Sequence, residues 1–140
     1  MSTPLILLPV DGSEHATRAA VYALKIAGLM DARLLLLYCH RPFPVMLGQP
    51  KFQHAVDKIL FQANNLLEPF RLMLTEKNAD FADLIIEGPP AEKICDIARI
   101  RGCEMIIMGS RGRSDLKGLL LGSVAHQVLH HAPCPVLVVR

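Results

Sequence analysis

A chain of 140 residues, 51% of them hydrophobic, has enough apolar material for one sizeable core and is expected to form one domain over residues 1–140. A formal charge of only +2, scattered basic residues and 5% aromatic content leave no electrostatic footprint or base-stacking platform for nucleic acid. No apolar run approaches the ~18 residues of a membrane span, the first residues lack a signal-peptide pattern, and Cys39, Cys95, Cys103 and Cys134 form no C-x-x-C pair, so a cytoplasmic protein with free thiols is expected, without membrane or nucleic-acid partners.

Residues 5–8 (LILL) form a short apolar run, read as a first strand, and end at Pro9, Val10, Asp11 and Gly12. Ser13 can cap a helix whose apolar face is Ala16, Ala19, Ala20, Ala23, Leu24 and Ala27, with Gly28 near its end. Residues 34–39 form a second strand, apolar throughout, as expected where both faces of a sheet are covered. A proline-rich loop over 40–50 leads to a long amphipathic helix marked by Val56, Ile59, Leu60, Ala63, Leu66, Leu67 and Phe70. Pro69 inside it removes one backbone hydrogen bond, so a kink or two successive helices is expected there.

A third strand spans 81–87, and Gly88-Pro89-Pro90 turns the chain into a helix with Ala91, Ile94, Cys95 and Ala98 inward and Gly102 at its stop. The fourth strand covers 104–108. Residues 109–124, GSRGRSDLKGLLLGSV, are the segment around which the rest is organised. A strand ends at Gly109, and a helix begins near Ser123, where Leu121, Val124, Ala125, Val128 and Leu129 recur at helical spacing. Glycines admit close backbone approach, a helix N-terminus offers unpaired N–H groups, and Arg111, Arg113 and Lys117 add positive charge, a combination suited to a polyphosphate. The same glycines and cations would equally serve a solvated surface loop. Residues 136–139 form the last strand.

Five strands alternating with helices predict a single doubly wound α/β sheet, parallel, with helices on both faces. Ligands of such sheets sit beyond the strands' carboxyl ends, at the switch point. The loops after strands one, two and four meet in one cleft there if strands one and four are neighbours.

Four motifs then stand in register. Gly109-x-x-Gly112, nine intervening residues and Gly122-Ser123 form the first, and the strand end Pro9-Val10-Asp11-Gly12-Ser13 the second. Gly88-x-Pro90 precedes the third helix, and Ala132-Pro133-Cys134-Pro135-Val136-Leu137-Val138-Val139 closes the chain. Together they resemble the universal stress protein family, ATP-binding subclass, over essentially the whole length. The resemblance implies a five-stranded sheet of order 3-2-1-4-5 and binding of ATP. It puts Pro9, Val10 and Asp11 beside adenine and ribose, Cys39 at the adenine edge through its backbone, and Met108 against the nucleoside. Gly109, Arg111, Gly112 and Arg113 would wrap the phosphates, and Gly122, Ser123 and Val124 would present a helix N-terminus to them. The side chains of Cys39, His40 and Arg41 depart from the apolar or acidic ones associated with the family. The resemblance also implies a homodimer through residues 136–139, which agrees with an apolar strand at a sheet edge needing cover.

Asp11 can hold a ribose hydroxyl or simply shape a turn and cap, and Ser123 can cap a helix while facing phosphates. Neither a Walker A motif nor G-x-G-x-x-G occurs, and no spacing marks a catalytic triad or a residue that orients an attacking water. His126 and His130 have the spacing of a two-histidine metal face but no supporting ligand, so a solvated helix face is expected. The chain is expected to hold no metal of its own; any magnesium would arrive with ATP, near Asp11. The function expected is a nucleotide-binding regulatory or protective module that signals to an unidentified protein partner. Slow ATP hydrolysis at the same site and a dimeric scaffold with a vacant cleft are the alternatives.

Overall fold

The computed structural model describes residues 2–112 and 117–140. The chain runs β1 (Leu5–Pro9), α1 (Glu14–Met30), β2 (Arg33–His40), a 3-10 turn (Val45–Leu47), α2 (Lys51–Glu76), β3 (Phe81–Glu87), α3 (Pro90–Ile100), β4 (Met105–Gly109), α4 (Ser123–His131) and β5 (Val136–Val139). The strands pair in parallel in the order β3-β2-β1-β4-β5. The 3-2-1-4-5 order implied by the resemblance is therefore observed, and β1 and β4 are neighbours.

Two-sided burial explains the unbroken apolar strands. Ile6, Leu8, Leu34, Leu36 and Ile107 point to one face and pack with the alanines of α1 and with Leu67, Phe70 and Leu74 of α2. Leu7, Leu35, Leu37, Ile106 and Met108 point to the other, against α3 and α4. Successive strand residues alternate between faces, so a strand with helices on both sides has no position left for a polar side chain. The alanine face of α1 lets that helix lie close to the sheet: Ala16, Ala19, Ala20, Ala23 and Ala27 are all buried.

Several local expectations change. Helix α2 is a single element through Pro69, so the two successive helices that were one expectation there do not form. Pro69 is exposed, whereas Leu67, Phe70 and Leu74 on either side of it are buried, so packing holds both halves of the helix down across the missing hydrogen bond. Leu60 and Leu129, expected on inward faces, are exposed at the margins of their stripes. Helix α1 ends two residues past Gly28, and the left-handed φ of 53° at Asp31 turns the chain so that the Ala32 N–H bonds Ala27 O at 2.9 Å. Ser123 is the first residue of α4 rather than its cap. Gly122 caps it in extended geometry and, as a glycine, supplies no side-chain hydrogen bond to the N-terminal turn of α4. Among the described residues no helix is long and apolar enough to cross a membrane.

Candidate functional site

A cavity opens at the carboxyl ends of β1, β2 and β4, with about 560 Å³ of free space that includes an open mouth. Pro9, Val10 and Asp11 supply the wall after β1, Cys39 the wall at the end of β2, and Met108, Gly109, Arg111 and Gly112 the wall after β4. Val124 enters from the first turn of α4. Two described residues that were expected there do not line it. Gly122 stands one residue behind, buried, its N–H bonded to Ser110 O at 2.6 Å. Ser123 is exposed. Arg113 lies outside the described residues.

The apolar lining was not singled out in the sequence. Leu37, Tyr38, Ile94 and Ala125 complete the walls, and Ala16 contributes from the first turn of α1. Nothing in a leucine run or a core helix stripe marks the one member that borders a cavity. Only the position of each at the top of its element could have flagged it.

Backbone polarity at the β2 end follows from the ladder. Leu37 O accepts the Val10 N–H at 2.9 Å, toward β1, and His40 O accepts the Gly88 N–H at 3.1 Å, on the β3 side. Since neighbouring residues of a strand point their N–H and C=O groups to opposite edges, Cys39 directs both groups toward the β1 side, where β1 has ended. One donor and one acceptor from the same residue thus face the cavity. The Cys39 thiol is pushed up to about 11 by burial, against a smaller opposing pull from Lys93, so it stays protonated and is no nucleophile.

At the other end the groups are charged or dipolar. Asp11 Oδ1 accepts the Ser13 N–H at 2.9 Å, and Ser13 Oγ accepts the Ala16 N–H at 3.1 Å, so the turn and cap expected of this motif are both present and fix the carboxylate at the rim. Arg111 reaches back to α1, its Nε donating to His15 Nε2 at 3.1 Å. Lys117 is exposed and does not line the cavity.

Gly109 has a reason of its own. A Cβ built there would lie 2.7 Å from His15 Cβ and 2.8 Å from the His15 carbonyl carbon, distances real side chains do not tolerate. The first turn of α1 therefore sits directly on the end of β4, and that contact brings the β1 and β4 walls together. Elsewhere, the exposed rings of His126 and His130 lie 4.7 Å apart, and among the described residues no three His, Cys, Asp or Glu side chains gather as a metal site.

Residues 4–140 match the Universal stress protein family. A universal stress protein of Thermus aquaticus is 38% identical over 135 residues, covering 96% of this chain and 97% of that protein. The solved structure of MJ0577, a universal stress protein of Methanocaldococcus jannaschii, has a TM-score of 0.86 at 32% identity, over 99% of this chain and 96% of that one. A universal stress protein solved in complex with cAMP has a TM-score of 0.78 at 20% identity, over 100% of this chain and 99% of that one.

Proposed function

Since the chain belongs to the universal stress protein family, we propose that its cleft binds an adenine nucleotide, ATP carried with magnesium, and that the protein is a cytoplasmic regulatory or protective module. The observation that carries this reading is the change of character along the cavity. At the β2 end, apolar walls from Leu37, Ile94 and Met108 surround the paired donor and acceptor of Cys39, which suits the flat, apolar adenine with its adjacent acceptor and amino group. At the α4 end, Gly112, the N-terminal turn of α4 and the Arg111 guanidinium suit phosphates. Asp11, held between the two by Ser13, suits a ribose hydroxyl. A protein of this fold binds cAMP; at that identity the likeness speaks for the fold, and the reading for this chain rests on its own cavity.

The mechanism that follows is conformational. The bound phosphates draw together Gly112 and the N-terminus of α4, and the surface so formed is what a protein partner reads. Mass spectrometry of small molecules released by denaturing freshly purified protein tests the reading. ATP in the released fraction supports it, and ADP shifts the function to slow hydrolysis. No nucleotide, together with no binding on titration with ATP and magnesium, overturns it in favour of a scaffold.

The same reading includes a homodimer through β5. That strand is the sheet edge, and an unpaired row of backbone groups on an apolar strand favours a second copy. Deleting the strand would be a poor test, because Val139 is buried and its carbonyl accepts the Ser110 N–H at 2.7 Å. Val138 is half-buried, so Val138→Lys charges the edge while sparing the buried Val139. Light scattering should give twice the chain mass of 15.4 kDa for the parent and the single mass for the variant. A variant that stays dimeric puts the interface elsewhere.

A further inference from the structure

His15 does not line the cavity; it stands behind Arg111, which does. Its ring is contacted on both nitrogens. Nε2 receives the Arg111 Nε–H at 3.1 Å. Nδ1 lies 3.2 Å from an Arg18 guanidinium nitrogen and 3.5 Å from Ser110 Oγ. A neutral imidazole has one acceptor nitrogen and one N–H, so it cannot accept from both arginines. Ser110, 2% exposed, is compatible with the tautomer that accepts from Arg111: its hydroxyl can accept a hydrogen bond from Nδ1–H, which leaves Nε2 to accept from Arg111. Arg18 has other partners, the main-chain oxygen of Arg140 at 2.9 Å and the Glu14 carboxylate at 3.8 Å, and it is half-exposed, so it gives way.

We propose that His15 is a positioning residue: as a neutral acceptor it holds the Arg111 guanidinium at the cleft, and on protonation it releases Arg111 and weakens the grip on a nucleotide's phosphates. The second half rests on the nucleotide reading above; the first does not. The close seat of α1 on Gly109 fixes the His15 backbone and Cβ relative to β4, so the ring swings from an anchored point beside Arg111.

The charged surroundings favour the neutral ring. Burial first, then Arg111 and Arg18, hold His15 below its ordinary 6.5, while Glu14 and Asp11 act in the opposite direction. Just past β5, the main-chain oxygen of Arg140 accepts from Arg18 Nε. A folded-state value below the unfolded one means that the neutral ring's contribution is complete above pH 6.5 and is lost as pH falls from there through the lower folded value. A protonated ring meets the Arg111 guanidinium at contact distance but a phosphate only from beyond it, so repulsion of Arg111 is the stronger effect.

Imidazole and guanidinium ¹⁵N spectra of the nucleotide-free protein, with Arg111 assigned through Arg111→Lys, test the pair directly. The expected result is an Nδ1–H tautomer at about pH 8 and a protected Arg111 Nε–H signal that disappears as His15 protonates. His15→Gln, whose amide oxygen accepts without titrating, should keep that signal throughout. An Nε2–H tautomer, or an Arg111 signal indifferent to His15 titration, overturns the proposal. For binding, the parent should lose severalfold more ATP affinity than His15→Gln between pH 7.5 and 5.5, with ~10-fold as the ceiling because the ring titrates below 6.5. Adenosine should show no such difference. Equal losses of ATP affinity in the two proteins contradict the proposal. If neither protein binds ATP while the Arg111 signal behaves as expected, the nucleotide reading falls and the positioning role of His15 stands.

Discussion

Gly109→Val should cost about 3 kcal/mol of folding stability or more, the upper range for overpacking a closed contact. The argument is steric. The added Cβ alone would meet His15 Cβ at 2.7 Å, the His15 carbonyl carbon at 2.8 Å and the Ala16 N at 3.0 Å. Two of these are backbone atoms of the first turn of α1, so no rotamer change relieves them. The helix must lift from β4, and with it go the packing of Ala16, Ala19 and Ala20 and the junction of the β1 and β4 walls. Urea denaturation checks the figure, and Gly109→Ala should show a smaller loss of the same kind. A valine variant as stable as the parent would mean that α1 does not rest on this glycine, and the geometry of the cavity's junction would be wrong.

Val124→Asp should weaken ATP binding by at least ~100-fold while leaving stability within about 1 kcal/mol. Val124 lies in the first turn of α4 and lines the cavity. A carboxylate in that turn interacts favourably with the helix dipole, about 0.3–1 kcal/mol, which partly offsets the lost packing of a half-buried valine. The same carboxylate occupies the anion position and faces the incoming phosphate. At 4 Å and an effective dielectric near 20, one pair of like charges costs about 4 kcal/mol; two-thirds of that is already a ~100-fold change. Calorimetric titration and denaturation of the same sample separate the two effects. Unchanged affinity in a folded variant would show that phosphates do not approach the α4 N-terminus.

These predictions draw differently on sequence and structure. The alternation of strands and helices was legible because leucine runs and alanine stripes have distinct periods, and the boundaries at Phe81–Glu87 and Val136–Val139 fall where composition changes. The strand order was not contained in periodicity; it came from motifs in register, above all the glycine signature and the Pro9-Val10-Asp11 strand end. Gly109 was read as a glycine for ligand approach, yet its immediate neighbour is α1, a contact between segments far apart in the chain that no local pattern encodes. Ser123 carried the chemistry of a cap, but the extended residue before the helix is Gly122, a distinction that depends on one φ/ψ pair. Pro69 reads locally as a breaker, and only the burial of Leu67, Phe70 and Leu74 explains the unbroken helix. The His15–Arg111 bond joins two residues whose individual signals, a helix start and a loop cation, gave no hint of each other.

The cleft itself is tested most directly by amide chemical-shift mapping of ¹⁵N-labelled, nucleotide-free protein titrated with ATP and magnesium. The account predicts saturable shifts at Cys39, Gly109, Gly112 and Val124 together, with adenosine alone moving Cys39 and leaving Val124 nearly still. Saturable shifts confined to another surface, or none at all, would contradict an adenine nucleotide site at the carboxyl ends of β1, β2 and β4.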